Sequence, residues 1–66
     1  MKELNRIKEV LLIKKKTQVW LAGELGKDVR TVSVWCTNKR QPSLLDLDRI
    51  AILLEVDIRE LLVATR

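Results

Sequence analysis

The chain contains no phenylalanine, tyrosine or histidine, and has only one cysteine, one proline and two glycines in 66 residues. Without histidine there is no Ser/His or Cys/His pair for nucleophilic catalysis. A single cysteine excludes an internal disulfide and a Cys/His zinc site. No Gly-rich phosphate-binding loop is visible either. These absences argue against an enzyme, and we expect neither a cofactor nor a small-molecule ligand.

Long hydrophobic runs are also missing. A membrane-spanning helix needs about 20 consecutive apolar residues, and no stretch approaches that length. The short apolar run near the N-terminus ends at Lys14–Lys16, where a signal peptide would need small residues for cleavage. We therefore expect no membrane association and a cytoplasmic location.

The composition otherwise predicts one small packed domain spanning residues 1–66. Apolar residues make up 47% of the chain, which favours a folded globule over disorder. A chain of this size buries only about 60% of its unfolded surface and is marginal alone. Its core must depend on leucine, isoleucine, valine, alanine and two tryptophans.

The positive charge is concentrated in one part of the chain. The net charge is +4, but residues 14–40 carry seven cations against two acidic residues, whereas residues 41–66 carry an excess of two negative charges. A basic segment of this kind is typical of a polyanion-binding surface. For Lys14–Lys16, a solvated helix end favoured by the helix dipole explains the pattern equally well.

Apolar residues recur at helical spacing along the whole chain, and no strand, linker or repeat is visible. The spacing predicts five helices, at about residues 3–14, 18–25, 29–37, 44–54 and 58–64. The predicted inward-facing residues of helices 1, 4 and 5 are Leu4, Ile7, Val10, Leu11, Leu44, Leu47, Ile50 or Ala51, Leu54, Ile58, Leu61 and Leu62. The predicted fold class is all-α, a compact five-helix domain.

Side chains suited to helix ends flank these segments. The predicted N-caps are Thr17, Asp28, Ser43 and Asp57, the last with Glu60 as a capping box. Gly26 and Asn38 lie where the chain leaves helices 2 and 3 at positive φ. The turn after helix 1, near Lys15, has no such residue, so its form is not predicted.

The segment from Thr17 to Pro42 is the most informative part of the chain. Its first helix places the small residue Ala22 where a second helix can cross closely, and Trp35 in that second helix is predicted to be buried. Two helices joined by a short turn with a glycine describe a helix-turn-helix. The second helix of such a unit is shaped to enter a DNA major groove.

These residues resemble the phage repressor and Cro-type family of helix-turn-helix DNA-binding domains, also called the xenobiotic-response-element family. The family pattern T-Q-x-x-L-A-x-x-L-G, then T-[IV]-S-x-W, then a basic turn and proline, is matched in order and without gaps. The matching residues are Thr17, Gln18, Leu21, Ala22, Leu25, Gly26, Thr31, Val32, Ser33, Trp35, Asn38, Lys39, Arg40 and Pro42. The resemblance implies a five-helix fold of the lambda-repressor type.

The resemblance also implies a set of DNA-contacting residues. Those expected to read bases are at the start and on one face of helix 3: Val29, Arg30, Thr31 and Val34. Those expected to contact the DNA backbone are Thr17, Gln18, Lys27, Ser33, Thr37, Asn38, Lys39 and Arg40. Valine at positions 29 and 34 departs from the polar or basic residues usual in the family, so these two side chains could instead form a sticky surface or a subunit contact.

The function implied is a sequence-specific transcriptional regulator, by family type a repressor, that binds double-stranded DNA as a weak homodimer. We expect the dimer to use the region of helices 4 and 5, where Leu45, Leu53 and Val63 are apolar but outside the inward stripes. The alternative is a protein-interaction module that uses an apolar patch of Val19, Trp20, Val29 and Val34. Trp20, expected to be at least half exposed, could also simply cover the end of helix 1.

Overall fold

The computed structural model describes residues 3–64, and these residues form an all-helical arrangement. Four α-helices are followed by a 3₁₀ turn: α1 (Ile7–Ile13), α2 (Gln18–Leu25), α3 (Val29–Cys36), α4 (Leu44–Leu54) and the 3₁₀ turn (Ile58–Leu61). The all-α fold class is therefore confirmed. The predicted bounds of helices 2, 3 and 4 agree with the structure to within one residue. The prediction of one domain over residues 1–66 includes residues 1, 2, 65 and 66, which lie outside the described residues.

The predicted first helix is shorter in the structure, and the predicted fifth helix over 58–64 is instead the 3₁₀ turn, so the chain has four α-helices between residues 3 and 64. The chain is not helical before Ile7, and Asn5 instead forms an isolated antiparallel bridge with Leu62. Backbone N–H groups of Arg6 and Val63 donate to the carbonyls of Leu61 and Leu4, at 2.8 and 3.0 Å. The two ends of the described segment thus pair with each other, which prevents either from continuing as a helix.

All four predicted N-caps are confirmed. The side chains of Thr17, Asp28, Ser43 and Asp57 each accept a hydrogen bond from a backbone N–H in the first turn that follows. Asp57 and Glu60 form the complete capping box. Such caps satisfy donors that would otherwise be left unpaired at the helix start.

The four α-helices between residues 3 and 64 end in the same way. A residue with φ between 57° and 66° follows the last turn, and these residues are Lys15, Gly26, Asn38 and Glu55. In each case the next residue donates its N–H to a carbonyl five positions earlier, at 2.9 to 3.0 Å. This Schellman arrangement satisfies carbonyls at the helix end. The turn after α1 is therefore left-handed although its residue is lysine.

One core of buried apolar side chains holds these elements together. It draws on every helix and on the 3₁₀ turn, and Ile7, Leu21, Val32, Ile50 and Leu61 are fully buried. α2 packs against α3 and α4, while α1 packs against α3 and the 3₁₀ turn. Trp35 and Ala22 are both buried, as predicted.

Three of the predicted inward-facing residues are exposed. Leu4 is exposed because α1 does not extend to it, and Leu62 is exposed because the chain is extended there. Leu44 is 78% exposed, since it is the first residue of α4 and lies beyond the part of that helix that packs on the core. Ile58 is half-buried against the core.

The burial pattern predicts that replacement of leucine by alanine is costly at one position and nearly neutral at another. Leu21→Ala removes a fully buried side chain and should cost about 2–5 kcal/mol. That is comparable with the total stability of a domain this small. Leu12→Ala, the matched control at a site 69% exposed, should change the free energy of unfolding by less than about 0.5 kcal/mol. Urea unfolding followed by circular dichroism measures both. Equal losses would show that this core is misassigned.

The left-handed stop of α4 generates a second prediction. Glu55→Gly should raise the free energy of unfolding by about 0.5–1 kcal/mol, because glycine adopts φ 57° without the strain that a Cβ causes. Glu24→Gly, the same change at an exposed position inside α2, should lower it by about 1 kcal/mol. Thermal melts of the two variants compare them directly. A loss of stability at both positions would contradict the left-handed assignment of Glu55.

Candidate nucleic-acid interface

The start of α2 lies beside a shallow basic depression. The Thr17 hydroxyl accepts from the backbone N–H of Trp20 at 3.0 Å, and Gln18 begins the helix. The depression is lined by Lys8, Leu11, Leu12, Lys16, Thr17 and Gln18. Two ammonium groups therefore accompany the free N–H groups at this helix end, a combination that attracts anions.

The turn between α2 and α3 is tied to α4 by a small charge cluster. Lys27 Nζ lies 3.9 Å from Asp46 Oδ2, and Arg49 Nη1 lies 3.8 Å from Asp46 Oδ1. Arg49 Nη2 also donates to the carbonyl of Leu25 at 3.3 Å. Partly exposed ion pairs contribute little stability. Lys27, expected to contact the DNA backbone, therefore stays accessible but has an intramolecular carboxylate within reach.

One side of α3 forms a second depression, lined by Arg30, Thr31, Val34, Trp35, Arg40 and Gln41. Arg30 is exposed, and its backbone N–H is fixed by the Asp28 carboxylate at 2.7 Å. Three of the four residues expected to read bases thus share one concave surface with Arg40. Val29 is 42% exposed but does not line this depression.

The turn after α3 presents two adjacent cations. Lys39 and Arg40 are exposed, while their backbone N–H groups both donate to the carbonyl of Val34, at 3.0 and 3.3 Å. The Thr37 hydroxyl donates to the carbonyls of Ser33 and Val34. The turn is therefore fixed to the last turn of α3, with its charged ends in solvent. Ser33 itself is half-buried.

Asn38 does not face outward as predicted. Its side chain is buried, and its Oδ1 accepts hydrogen bonds from the backbone N–H groups of Leu4 and Asn5, both at 2.9 Å. Its Nδ2 donates to the carbonyl of Asn5 at 3.2 Å, so the side chain is paired within the protein. The DNA-backbone contact expected of Asn38 stays a prediction, which this buried placement does not favour.

The apolar patch expected for the alternative function is smaller than predicted. Val19 and Val29 are 70% and 42% exposed, but Trp20 and Val34 are partly buried against the core. The Lys16 ammonium also lies 4.9 Å from the centroid of the Trp20 ring, within cation–π range. The expectation that Trp20 is at least half exposed is wrong. Two separate valines offer little area for a protein partner.

Cys36, at the end of α3, is buried. Burial raises the pKa of its thiol to about 11, and only the weaker influence of the Lys8 charge opposes that rise. The thiol is therefore protonated at neutral pH and is a poor nucleophile. Among residues 3–64, no group of three or more His, Cys, Asp or Glu is arranged to hold a metal ion. No helix in that range has the length and apolar character needed to cross a membrane.

Sequence reasoning did not identify three residues that the structure places at or beside these surfaces. Lys8 joins the depression at α2 because it lies in α1 one turn before Leu12, on the same side of the helix. Gln41 lines the depression on α3, and Asn5 lies buried behind the turn that follows α3. Asn5, a residue of low helix propensity within the predicted first helix, is the sequence signal that this helix starts later.

Comparison with known proteins agrees with this geometry. The model of the family described as Helix-turn-helix matches residues 7–61, most of the chain, which confirms the resemblance to Cro-type domains. A crystal structure described as that of "a putative DNA-binding protein from Bacteroides fragilis" is 53% identical to the chain, with a TM-score of 0.90. The alignment covers 91% of this chain and 97% of that one. No curated protein matches significantly.

Proposed function

This chain belongs to the helix-turn-helix family, and we propose that it is a sequence-specific DNA-binding transcriptional regulator. The observation that carries the proposal is the depression on α3, the second helix of the motif. One side of this helix, with Arg30, Thr31 and Val34, meets Arg40 from the turn that follows. The Bacteroides fragilis neighbour, itself described as "a putative DNA-binding protein", supports the same function.

In this proposal α3 lies in the major groove and reads base edges. Arg30 is exposed at the first turn of α3, and a guanidinium there can donate two hydrogen bonds to guanine O6 and N7. Thr31 and Val34 present methyl groups, which suit the C5-methyl of thymine. Val29 would contribute similar apolar contact from the edge of this surface.

The DNA backbone would be held from both sides of α3. Gln18 and the N–H groups at the start of α2 face one phosphate, helped by Lys8, Lys16 and the Thr17 hydroxyl. Lys39 and Arg40 face another, from a turn whose backbone is fixed to Val34. Lys27, Ser33 and Thr37 would add weaker backbone contacts. Because residues 14–40 hold most of the positive charge, the same surface would also draw DNA from a distance.

We further propose repression, not catalysis, as the activity. A domain that occupies a promoter blocks other proteins by its bulk alone, whereas activation requires a further surface for the transcription machinery. The Cys36 thiol is buried and protonated, and the sequence has no histidine to serve as a general base. The cytoplasmic location expected from the sequence is consistent with such a role.

A dimer is part of the proposal, because one helix-turn-helix covers only half of a typical operator. The surface best suited to it is an apolar groove lined by Leu4, Asn5, Gln41, Pro42, Leu44, Leu47 and Leu62. Leu44 lines this groove and is 78% exposed, and the next residue, Leu45, is 71% exposed. Leu53 is half-buried and Val63 is 37% exposed. Leu45 and Val63 remain candidates, and Leu44 joins them.

Single-residue variants should separate the two kinds of DNA contact. Lys39→Ala or Arg40→Ala should weaken binding to all duplexes about equally and flatten the dependence of log K on log salt by about one unit. Arg30→Ala should instead cost about 1–3 kcal/mol on the preferred sequence and relax the choice of one base. Fluorescence anisotropy on a duplex selected from a random pool, repeated over a salt series, measures both.

Arg59→Ala is the matched control, since Arg59 is 86% exposed in the 3₁₀ turn and pairs with Asp57 at 3.1 Å. It removes the same charge away from α3 and should leave the salt slope within experimental error. The proposed function is contradicted if wild-type protein selects no sequence from the pool. It is also contradicted if the variants of Arg30, Lys39 and Arg40 bind DNA as the Arg59→Ala control does.

The dimer is tested by Leu44→Gln, a neutral change that places an amide in the apolar groove. It should lower cooperative binding to a duplex with two half-sites about tenfold while leaving binding to one half-site unchanged. Ile52→Gln, at a residue 67% exposed on the same helix but outside the groove, is the matched control and should leave both unchanged. Sedimentation with and without DNA gives the oligomeric state. Normal cooperativity in the Leu44 variant would place the dimer contact elsewhere, with Ile13 and Val19 the next surface to test.

A further inference from the structure

Three amide side chains that the proposed DNA contacts do not use form a connected network behind the turn that follows α3. Asn5 and Asn38 are 3% and 7% exposed, and Gln41 lies between them and solvent. Burying two amides in a domain of this size is costly unless their polar atoms are paired. Among residues 3–64, no buried side-chain nitrogen or oxygen lacks a hydrogen-bond partner.

Asn38 is the centre of the network. Its Oδ1 accepts from the backbone N–H groups of Leu4 and Asn5 and from Gln41 Nε2, at 2.9, 2.9 and 3.1 Å. Its Nδ2 donates to the carbonyl of Asn5 at 3.2 Å. Three donors thus converge on one oxygen, so the side chain has one allowed position.

Asn5 closes the network onto α3. Its Nδ2 donates to the carbonyl of Trp35 and to Gln41 Oε1, at 2.9 and 2.6 Å, and its Oδ1 accepts from the N–H of Ile7 at 3.1 Å. Asn5 also pairs with Leu62 through its backbone. The start of α1, the end of α3 and the segment after the 3₁₀ turn therefore meet at these amides.

Two members of the network directly flank the two exposed cations in the sequence. Asn38 directly precedes Lys39, and Gln41 directly follows Arg40. Both flanking side chains are fixed to the segment that starts at Leu4, while the backbone of Lys39 and Arg40 is fixed to α3. Two independent anchors, on opposite sides of the turn, leave its backbone little freedom to move.

We propose that Asn5, Asn38 and Gln41 are positioning residues for DNA binding, which hold Lys39 and Arg40 at the spacing that the phosphates require. The inference rests on the proposed function and adds to it a set of residues that act through Lys39 and Arg40. Holding a charged group in place before binding improves affinity because less conformational entropy is lost on binding. The backbone grip of the turn is thereby coupled to the N-terminal segment, 33 residues away in sequence.

The choice of variant separates the side chain of Asn38 from its backbone conformation. Asn38 has φ 60°, which glycine adopts freely, so Asn38→Gly removes the amide while keeping the left-handed turn. Asn5→Ser keeps an acceptor for the N–H of Ile7 but loses both donated hydrogen bonds, and is the second variant should Asn38→Gly fail to fold. Ile50→Val, in the core of α4, is the control for loss of stability alone.

The test is a double-mutant cycle with DNA binding as its readout. Asn38→Gly in the wild-type background should weaken binding at least tenfold and flatten the salt slope by one to two units. In a protein that already carries Lys39→Ala and Arg40→Ala, the same change should weaken binding less than about twofold. Ile50→Val should leave affinity and slope unchanged in both backgrounds, measured well below the melting temperature. An equal loss in both backgrounds would overturn the proposal, because the amide would then act independently of the two cations.

Amide hydrogen exchange keeps this proposal distinguishable from the proposed function. In free protein, Asn38→Gly or Asn5→Ser should speed exchange at the N–H groups of Lys39 and Arg40 at least tenfold more than Ile50→Val does. Unchanged exchange there overturns the positioning role even if wild-type protein binds DNA. Faster exchange combined with no DNA binding by wild-type protein would confirm the anchoring of the turn and contradict the proposed function.

Discussion

The hydrogen bonds made by the Asn38 side chain hold together parts of the chain that no helix connects. Each of the four α-helices between residues 3 and 64 ends at a residue with positive φ, but only at Asn38 does that residue also bury its side chain. A glycine there would permit the turn and leave the N–H groups of Leu4 and Asn5 without their acceptor. The amide thus satisfies two needs at once, the left-handed backbone and the unpaired donors of the N-terminal segment.

The arrangement of charge depends on that framework. The depression on α3 combines Arg30 from the first turn of the helix with Arg40 from beyond its end, and only the turn at Asn38 brings the second guanidinium back beside the first. Two short helices could not by themselves hold these groups, because helices of eight residues are marginal in isolation. The packing of α2 and α3 on the core and the hydrogen bonds that fix the turn after α3 together hold these charged groups in place.

Local signals in the sequence predicted most of the fold, and long-range contacts account for what it did not predict. Thr17, Asp28, Gly26 and Asn38 each mark a helix end through their own chemistry, so those bounds were predictable. Lysine and glutamate have no preference for positive φ, so the left-handed backbone at positions 15 and 55 was not predictable, although the end of α4 was. The late start of α1 depends on hydrogen bonds between residues 33 or more apart, and the same bonds turn the Asn38 side chain inward, away from the DNA contact predicted for it.

Mapping the DNA contact by nuclear magnetic resonance tests the central claim most directly. On titration with a duplex selected from a random pool, the backbone amides of Gln18, Arg30, Val34, Lys39 and Arg40 should show the largest chemical-shift changes. Amides of α4, which carries Asp46 and Asp48, should change little. Intermolecular contacts from α3 to base protons would place that helix in the major groove. Largest changes at α4, or at Val19 with none in α3, would contradict the account.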